Sequence, residues 1–431
     1  MTVETQSWGR LAAPPQRVVS SEDWRKTAGR VLPFGNGRSY GDSCHLSGGT
    51  LIETRKRDRI LSFDSQSGVM RCEPSVMLTQ IVAAAAPHGF FIPVTPGTQF
   101  VTIAGAVAND VHGKNHHVRG TIGCHVSALG LERSDAGEMH CSPESHPEIF
   151  SATIGGMGLT GLIMYVDLVL CRVPSLCISE TRRPFRHLSE FFTLSAQHDD
   201  DYEFSVAWLD QLAKGKSFGR GVLMLGNFSA EGGYDATPAK PLMRVPLTPP
   251  ISLLNRVSLT AFNALYYSRA GAPRENVSVP WDSFFYPLDR IGGWNRLYGP
   301  KGLMQHQSVV PVSGGEEKIA ALLECAARHK QGSFLTVLKK FGDVKSPALL
   351  SFPRAGYTLT LDFPFLGDRT LRLLEDLDRI AIDAGGAVNP YKDARMSPET
   401  FAASFPNWAE LERLRDPRFM SDFWLRTAMR L

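Results

Sequence analysis

Three glycine-rich segments, at 35–41, 97–105 and 155–161, constrain what this chain can fold into more than any other feature. They stand far apart in a strand-like N-terminal third, and their small residues let backbone lie directly against a bulky ligand. Successive backbone N–H groups in such segments also cradle anions. Taken singly, each segment is what a hairpin or a strand-to-helix turn requires. Taken together, they predict one pocket gripped by loops. The first, Gly37-Arg38-Ser39-Tyr40-Gly41, is not the G-x-G-x-x-G fingerprint, because residue 40 is tyrosine and no helical pattern opens there. No lysine follows a glycine pair as a phosphate-binding loop would need. A dinucleotide site, if present, is one built from several loops and not from one helix N-terminus.

Directly after the second segment comes Asn109-Asp110-Val111-His112-Gly113-Lys114-Asn115-His116-His117, preceded by the small run Ile103-Ala104-Gly105-Ala106. Imidazole and ammonium groups beside a close-approach loop predict the rim of a buried cofactor with a phosphate tail. His112 reads either as a base or hydroxyl-orienting group, with its ordinary pKa near 6.5, or as a hydrogen-bonded structural histidine. The i, i+4 spacing of His112 and His116 suggests zinc, but Gly113 and Asn115 oppose a helix there, so a metal is rejected.

At 431 residues the chain exceeds one ordinary core and predicts two domains. A net charge of +3 with scattered Lys and Arg gives no case for nucleic acid. Met1-Thr2-Val3-Glu4-Thr5-Gln6 lacks the basic and apolar regions of a signal peptide, and no apolar run approaches the ~20 residues of a membrane span. Seven cysteines without a C-x-x-C pair argue against a disulfide framework and point to a reducing cytoplasm.

Periodicity predicts helices over 77–86, 316–330 and 368–384, the last with Asp368 as N-cap and Gly385 as stop. Residues 357–363 alternate as a strand with Thr358, Thr360 and Asp362 turned from the core, toward a cavity. In 336–341 the same alternation puts Lys339 and Lys340 on opposite faces. Past residue 173 glycine thins and prolines punctuate, and 238–250 holds a proline-rich surface loop. The expected architecture is α+β. One domain covers 1–173 and is completed by 388–431, and a second, with a mixed sheet, covers 174–387.

Seven motifs then match one family in order along nearly the whole chain. They are Gly37-Arg38-Ser39-Tyr40-Gly41-Asp42, His112-Gly113-Lys114-Asn115-His116-His117, Gly158-Leu159-Thr160-Gly161, Trp294-Asn295-Arg296-Leu297-Tyr298-Gly299-Pro300, Leu349-Leu350-Ser351-Phe352-Pro353, Asp362-Phe363-Pro364 and Lys392-Asp393-Ala394-Arg395. With them the chain resembles the vanillyl-alcohol oxidase superfamily, the FAD-binding PCMH type, and within it the oxidases of prenylphosphoryl pentoses. The resemblance implies FAD held by Gly35, Asn36, Gly37, Arg38, Ser39, Tyr40 and Gly41 from the first loop. From the second it implies Gly97, Thr98, Thr102, Ile103, Ala104, Gly105, Asn109, His112 and Gly113, joined by Gly161, Leu162 and Asn389. Lys392 is implied as the cation beside the flavin ring, where reduction places negative charge. His112, Lys114 and Tyr40 are the further catalytic candidates. Gln307, Lys339, Phe285, Thr358 and Thr360 are implied in the substrate cavity, with Lys339 suited to a phosphate.

Four positions depart from the family pattern. Thr358 replaces an asparagine, Thr360 a cysteine that covalent inhibitors attack, and Phe285 a tyrosine. Arg38 stands where many superfamily members carry a flavin-tethering histidine, which implies non-covalent FAD. The implied reaction is oxidation of a secondary sugar hydroxyl to a ketone, the 2′-hydroxyl of a (poly)prenylphosphoryl pentose, as the first half of an epimerisation. An NAD(P)H-dependent keto-reductase would complete it. A lipid-linked substrate would limit membrane contact to a peripheral one at the inner face, through 238–250 with Leu253 and Leu254. Two other readings stay open: oxidation of a soluble polyol, aldonolactone or nucleoside, and a flavin-binding partner subunit without turnover.

Overall fold

A computed structural model describes residues 5–431. The first four residues of the leader reading lie outside the described residues. Two sheets and the loops between them position the site. In the N-terminal part, Thr50–Glu53 lies parallel between Arg17–Ser20 and Val31–Phe34. Beside it, five antiparallel strands run in the order Ile60–Phe63, Val69–Cys72, Leu162–Val169, Val126–Arg133, Gly137–Cys141. The helix Leu78–Ala85 closes one side of this core, burying Leu78, Ile81, Val82 and Ala85 as its periodicity predicts.

From Cys177 onward one eight-stranded sheet dominates. Its order is Arg274–Pro280, Cys177–Phe185, Gly221–Phe228, Phe204–Leu209, Thr336–Phe341, Gly356–Pro364, Leu303–Val310 and Ala387–Val388. The expected mixed sheet is corrected here: every registered pair in it is antiparallel. Two neighbouring pairs, Phe204–Leu209 with Gly221–Phe228 and Thr336–Phe341 with Gly356–Pro364, are consecutive strands joined by a direct return, which reverses direction. Helices Leu188–His198, Gly315–Arg328 and Asp368–Asp383 cover one face, where Leu322, Leu323, Leu373 and Leu377 meet Leu359, Leu361 and Phe363. The other face turns toward the glycine loops. The proline-rich 238–250 segment runs over the surface and is tied down by Met243–Arg244 pairing with Ile291–Gly292.

The chain after 388 returns to the N-terminal part. Val31 and the tail exchange backbone bonds, Val31 N–H to Arg418 O at 2.9 Å and Met420 N–H to Val31 O at 3.0 Å. Phe401, Phe423 and Trp424 fill a core with Leu32, Phe34 and Leu51.

Local differences from the sequence reading have identifiable causes. Asp368 is not the N-cap. Gly367 takes that place at φ 66°, and the helix then runs to Asp383, with Gly385 in the left-handed region as its stop. Residues 103–108, read as part of a loop, form the short helix Ile103–Ala108, N-capped by Thr102 Oγ1 accepting from Gly105 N at 3.2 Å. A four-residue helix, His116–Arg119, starts only after Asn115, so His112 and His116 do not share a helical face.

Candidate active site

One cavity of about 470 Å³ lies between the glycine loops and the open face of the large sheet. Strand register decides which side chains reach it. Gln305 pairs with Asp362, Gln307 with Thr360, Val337 with Thr360 and Lys339 with Thr358, so one face presents Gln305, Gln307, Thr360, Val337 and Lys339. Lys340 points the other way and pairs with Asp199 at 3.0 Å on the helix-covered side. Opposite stand His112, Gly113 and Lys114, and the end is closed by the Asn389–Lys392 turn.

That turn is held from several directions. The Tyr391 hydroxyl lies 2.9 Å from the carbonyls of Gly155 and Leu350. Asp393 accepts from Arg395 N at 2.8 Å and Arg426 Nη2 at 3.1 Å, and Arg426 also forks onto Asp42 at 2.9 and 3.0 Å. Gly41 completes the clamp, since a Cβ there would stand 1.6 Å from the Asp393 carbonyl oxygen. Lys392 is thereby placed with Nζ 4.3 Å from the Tyr40 ring centroid. Burial lowers its pKa, opposed by the Asp362 carboxylate, whose own pKa burial raises. The Tyr40 phenol is pushed well above its ordinary range by burial. It is neutral at working pH and supports Lys392 through its ring face.

A hydrogen-bond chain sets the protonation of the next group. The Tyr391 backbone N–H can only donate, and it donates to Asn389 Oδ1 at 3.0 Å. Asn389 Nδ2 therefore donates to Gln307 Oε1 at 2.9 Å. Gln307 Nε2 is then the atom facing Thr358 Oγ1 at 3.1 Å and His112 Nε2 at 3.0 Å. His112 Nε2 must accept, which puts the imidazole proton on Nδ1, 3.2 Å from Lys339 Nζ. Where Nδ1 donates to Lys339, the amine has to offer a lone pair, while the Gly113 carbonyl accepts from Lys339 Nζ at 3.3 Å. Burial brings the Lys339 ammonium down to about 7, with Lys114 and Lys392 repelling charge there as well. Burial likewise holds His112 well below the ordinary histidine range. The neutral pair is thus the form populated as pH rises above about 7. Lys114, brought down to about 8 by burial, donates to the Phe284 carbonyl and lies 4.3 Å from the Phe284 ring centroid.

Most residues singled out in the sequence line this cavity, from Gly35, Asn36, Gly37, Arg38, Ser39, Tyr40, Gly97, Thr98, Thr102, Ala104, Gly105 and Asn109 to Gly161, Leu162, Phe285 and Thr360. Three do not. Gly41 packs on Asp393, Ile103 is wholly in the core, and Thr358 is buried beneath Gln307. The sequence reading missed Glu180, Arg182, Trp208 and Tyr266, all of which line it. Alternation on Cys177–Phe185 could have flagged Glu180 and Arg182 together, but nothing in the sequence says which face of that strand meets the site.

The loop side of the cavity fits a dinucleotide. Gly97 has open space where a Cβ would stand, and a Cβ at Gly35 would meet only Thr102. Arg38, whose guanidinium lies 4.4 Å from the Trp8 ring centroid and 5.4 Å from that of Phe100, keeps a buried Nε without a protein partner. A loop-built cradle with an unmatched guanidinium, ending at a clamped cation, defines a flavin-dependent oxidoreductase. Residues 22–141 match the FAD binding domain family. Over 96% of its length the chain is 32% identical to decaprenylphosphoryl-β-D-ribose oxidase of Mycolicibacterium smegmatis, covering 95% of that protein. It is 29% identical to an uncharacterised protein of Streptomyces coelicolor over 80% of the chain, and 28% identical to L-gulonolactone oxidase of Mus musculus over 36%. The chain belongs to the decaprenylphosphoryl-β-D-ribose oxidase family within the FAD-binding PCMH superfamily. It is an FAD-dependent oxidoreductase acting on alcohol groups.

Proposed function

We propose that this protein oxidises a secondary hydroxyl of a prenylphosphoryl pentose, the 2′-hydroxyl, to a ketone. The observation that carries the proposal is the meeting, in one cavity, of the clamped Lys392 cation with the neutral Lys339–His112–Gln307 chain. FAD, when bound, supplies the acceptor for the hydride from the carbinol carbon. Gly35, Asn36, Gly37, Arg38 and Ser39 hold it with Gly97, Thr98, Thr102, Gly105, Asn109, Gly161 and Asn389. Lys392, whose charged form Asp362 favours against burial, would stabilise negative charge that grows at the ring during reduction.

His112 serves to orient and not as the direct base, because Gln307 occupies its Nε2 and its Nδ1 is protonated. The proton of the substrate hydroxyl passes to the Lys339 amine, which takes it in its neutral form, populated as pH rises above about 7. Its contact to His112, 3.2 Å, is long enough to yield to a substrate hydroxyl. Lys114 and Phe285 border the same space, and Thr360 presents a hydroxyl in it.

Anaerobic mixing with prenylphosphoryl pentose, pentose phosphates and free sugars tests this reading. Bleaching of flavin absorbance by the first, lost in Lys392→Ala with flavin still bound, is the expected result. Bleaching only by free polyols or aldonolactones would move the assignment to the soluble-substrate reading, which the missing hydroxyl at Phe285 and the partial likeness to L-gulonolactone oxidase favour. No bleaching by any of them would leave a non-catalytic partner subunit. Because residue 38 is arginine, the flavin is held non-covalently, and acid denaturation should release all the yellow colour into the supernatant. The keto-sugar product calls for a separate NAD(P)H-dependent reductase to complete an epimerisation. No described helix is long and apolar enough to cross a membrane. Contact with the bilayer that carries the substrate is peripheral, through the exposed 238–250 segment.

A further inference from the structure

The neutral state of Lys339 raises a question about the proposed substrate: which group meets its phosphate. A neutral amine, hydrogen-bonded to His112 and 3.3 Å from the Gly113 carbonyl, is not a counter-ion. The same sheet face carries other charge. Arg182 pairs with Met224 across the sheet, Met224 with Val206, and one step of register sets Val206 opposite Lys339, since Ala207 faces Leu338. Arg182 thus stands three strand spacings from Lys339, about 14 Å along one row. Both line the cavity.

Around Arg182 the charges do not balance. Glu180 is 3% exposed and lies 2.9 Å from Arg182 Nη2 and 3.5 Å from Arg274 Nη1. Arg274 is solvent-facing, so within the cavity wall the one carboxylate stands against Arg182 and Lys114, the latter close enough that Glu180 and Arg182 both shift its titration. Arg182 Nε is buried without a hydrogen-bond partner. Charge excess is costly in a protein wall unless a ligand supplies the missing anion. A guanidinium fork matches a phosphate better than an ammonium does.

We infer that Arg182 and Lys114, with Glu180 holding the Arg182 guanidinium in place, form the subsite for the substrate's phosphate, at the opposite end of the cavity from Lys392. The inference rests on the proposed sugar oxidation. It divides the cavity into an end where the hydroxyl is oxidised and an end where the phosphate is read. The shared chemistry is a phosphate ester on a pentose, whether the other ester arm is a prenyl chain or absent.

The test compares the flavin-loaded wild type with Arg182→Met and with the charge-balanced double variant Glu180→Gln/Arg182→Gln. The double variant guards against misfolding around an unpaired buried carboxylate. Three substrates are used in anaerobic flavin reduction: prenylphosphoryl pentose, pentose 1-phosphate and free pentose. Loss of a charge-assisted phosphate contact should raise KM for both phosphorylated substrates ~10-fold or more. The limiting rate, and KM for free pentose, should stay unchanged. Inorganic phosphate should compete with the phosphorylated substrates in the wild type and lose that effect in both variants. Equal effects on free and phosphorylated sugars, or an effect on the prenylated substrate alone, would overturn the assignment. If no pentose reduces the wild-type flavin, the proposed reaction fails. Phosphate-induced perturbation of the flavin spectrum, present in wild type and absent in the variants, still decides the subsite.

Discussion

Lys339 shows how far a single side chain depends on neighbours it never touches. Its neutrality traces back through His112, Gln307 and Asn389 to one backbone N–H at Tyr391, a group that has no choice but to donate. If Lys339 takes the substrate proton, the flavin reduction rate should rise as pH climbs through about 7 and then level. In Lys339→Met that rising limb should vanish and the rate fall ~10²–10⁴-fold. An unchanged profile would remove Lys339 from proton transfer. Asn389→Asp offers a finer check. Its carboxylate can only accept, so Gln307 turns its amide, His112 moves its proton to Nε2, and Nδ1 becomes an acceptor for a charged Lys339. The pH limb should then move upward, a response that a merely structural role for Asn389 does not produce. The residue types at these positions were readable along the chain. The proton positions were not, because they follow from hydrogen bonds between residues about 80 to 230 apart in sequence.

At the scale of elements, two kinds of segment behaved differently. Amphipathic helices such as Leu78–Ala85 and Gly315–Arg328 were legible, since a 3.6-residue apolar repeat records one buried face. The Gly356–Pro364 strand was legible as a strand but not in its surroundings: it is buried on both faces, and only Thr360 of its three outward polar residues reaches the cavity. Gly41 belongs to the glycine loop in sequence and to the Lys392 clamp in space. Gly41→Ala should force the Asp393 carbonyl away, since the added carbon would sit 1.6 Å from its oxygen. We expect a loss of ~2 kcal/mol or more by denaturant titration together with slowed flavin reduction. Full stability with normal reduction would show that the turn at 389–392 relaxes freely.

For the molecule as a whole, the cavity concentrates cations that burial makes weaker. Lys339 and Lys114 fall to about 7 and about 8, from the ordinary lysine value of 10.5 that the unfolded chain keeps. Depressed lysines bind fewer protons in the folded state than in the unfolded one, so their penalty is complete below about 7 and fades as pH rises toward ~10.4. Flavin-free protein should therefore gain stability from pH 7 to pH 10 through these groups. Lys339→Met should raise Tm most at pH 7, with the gain shrinking toward pH 10. A gain independent of pH would mean that packing alone is responsible.

Glycine segments, apolar periodicities and ordered motifs were enough to establish a loop-gripped flavin, an α+β chain and the family, because local backbone freedom and one-sided burial leave their record in consecutive residues. The antiparallel sheet, the Gly41–Asp393 contact, the neutral Lys339–His112 pair and the Arg182 cluster belong to the tertiary structure alone. Each depends on which strand faces which and at what register, and a single residue of slip would send Glu180, Arg182 and Lys339 to the opposite face.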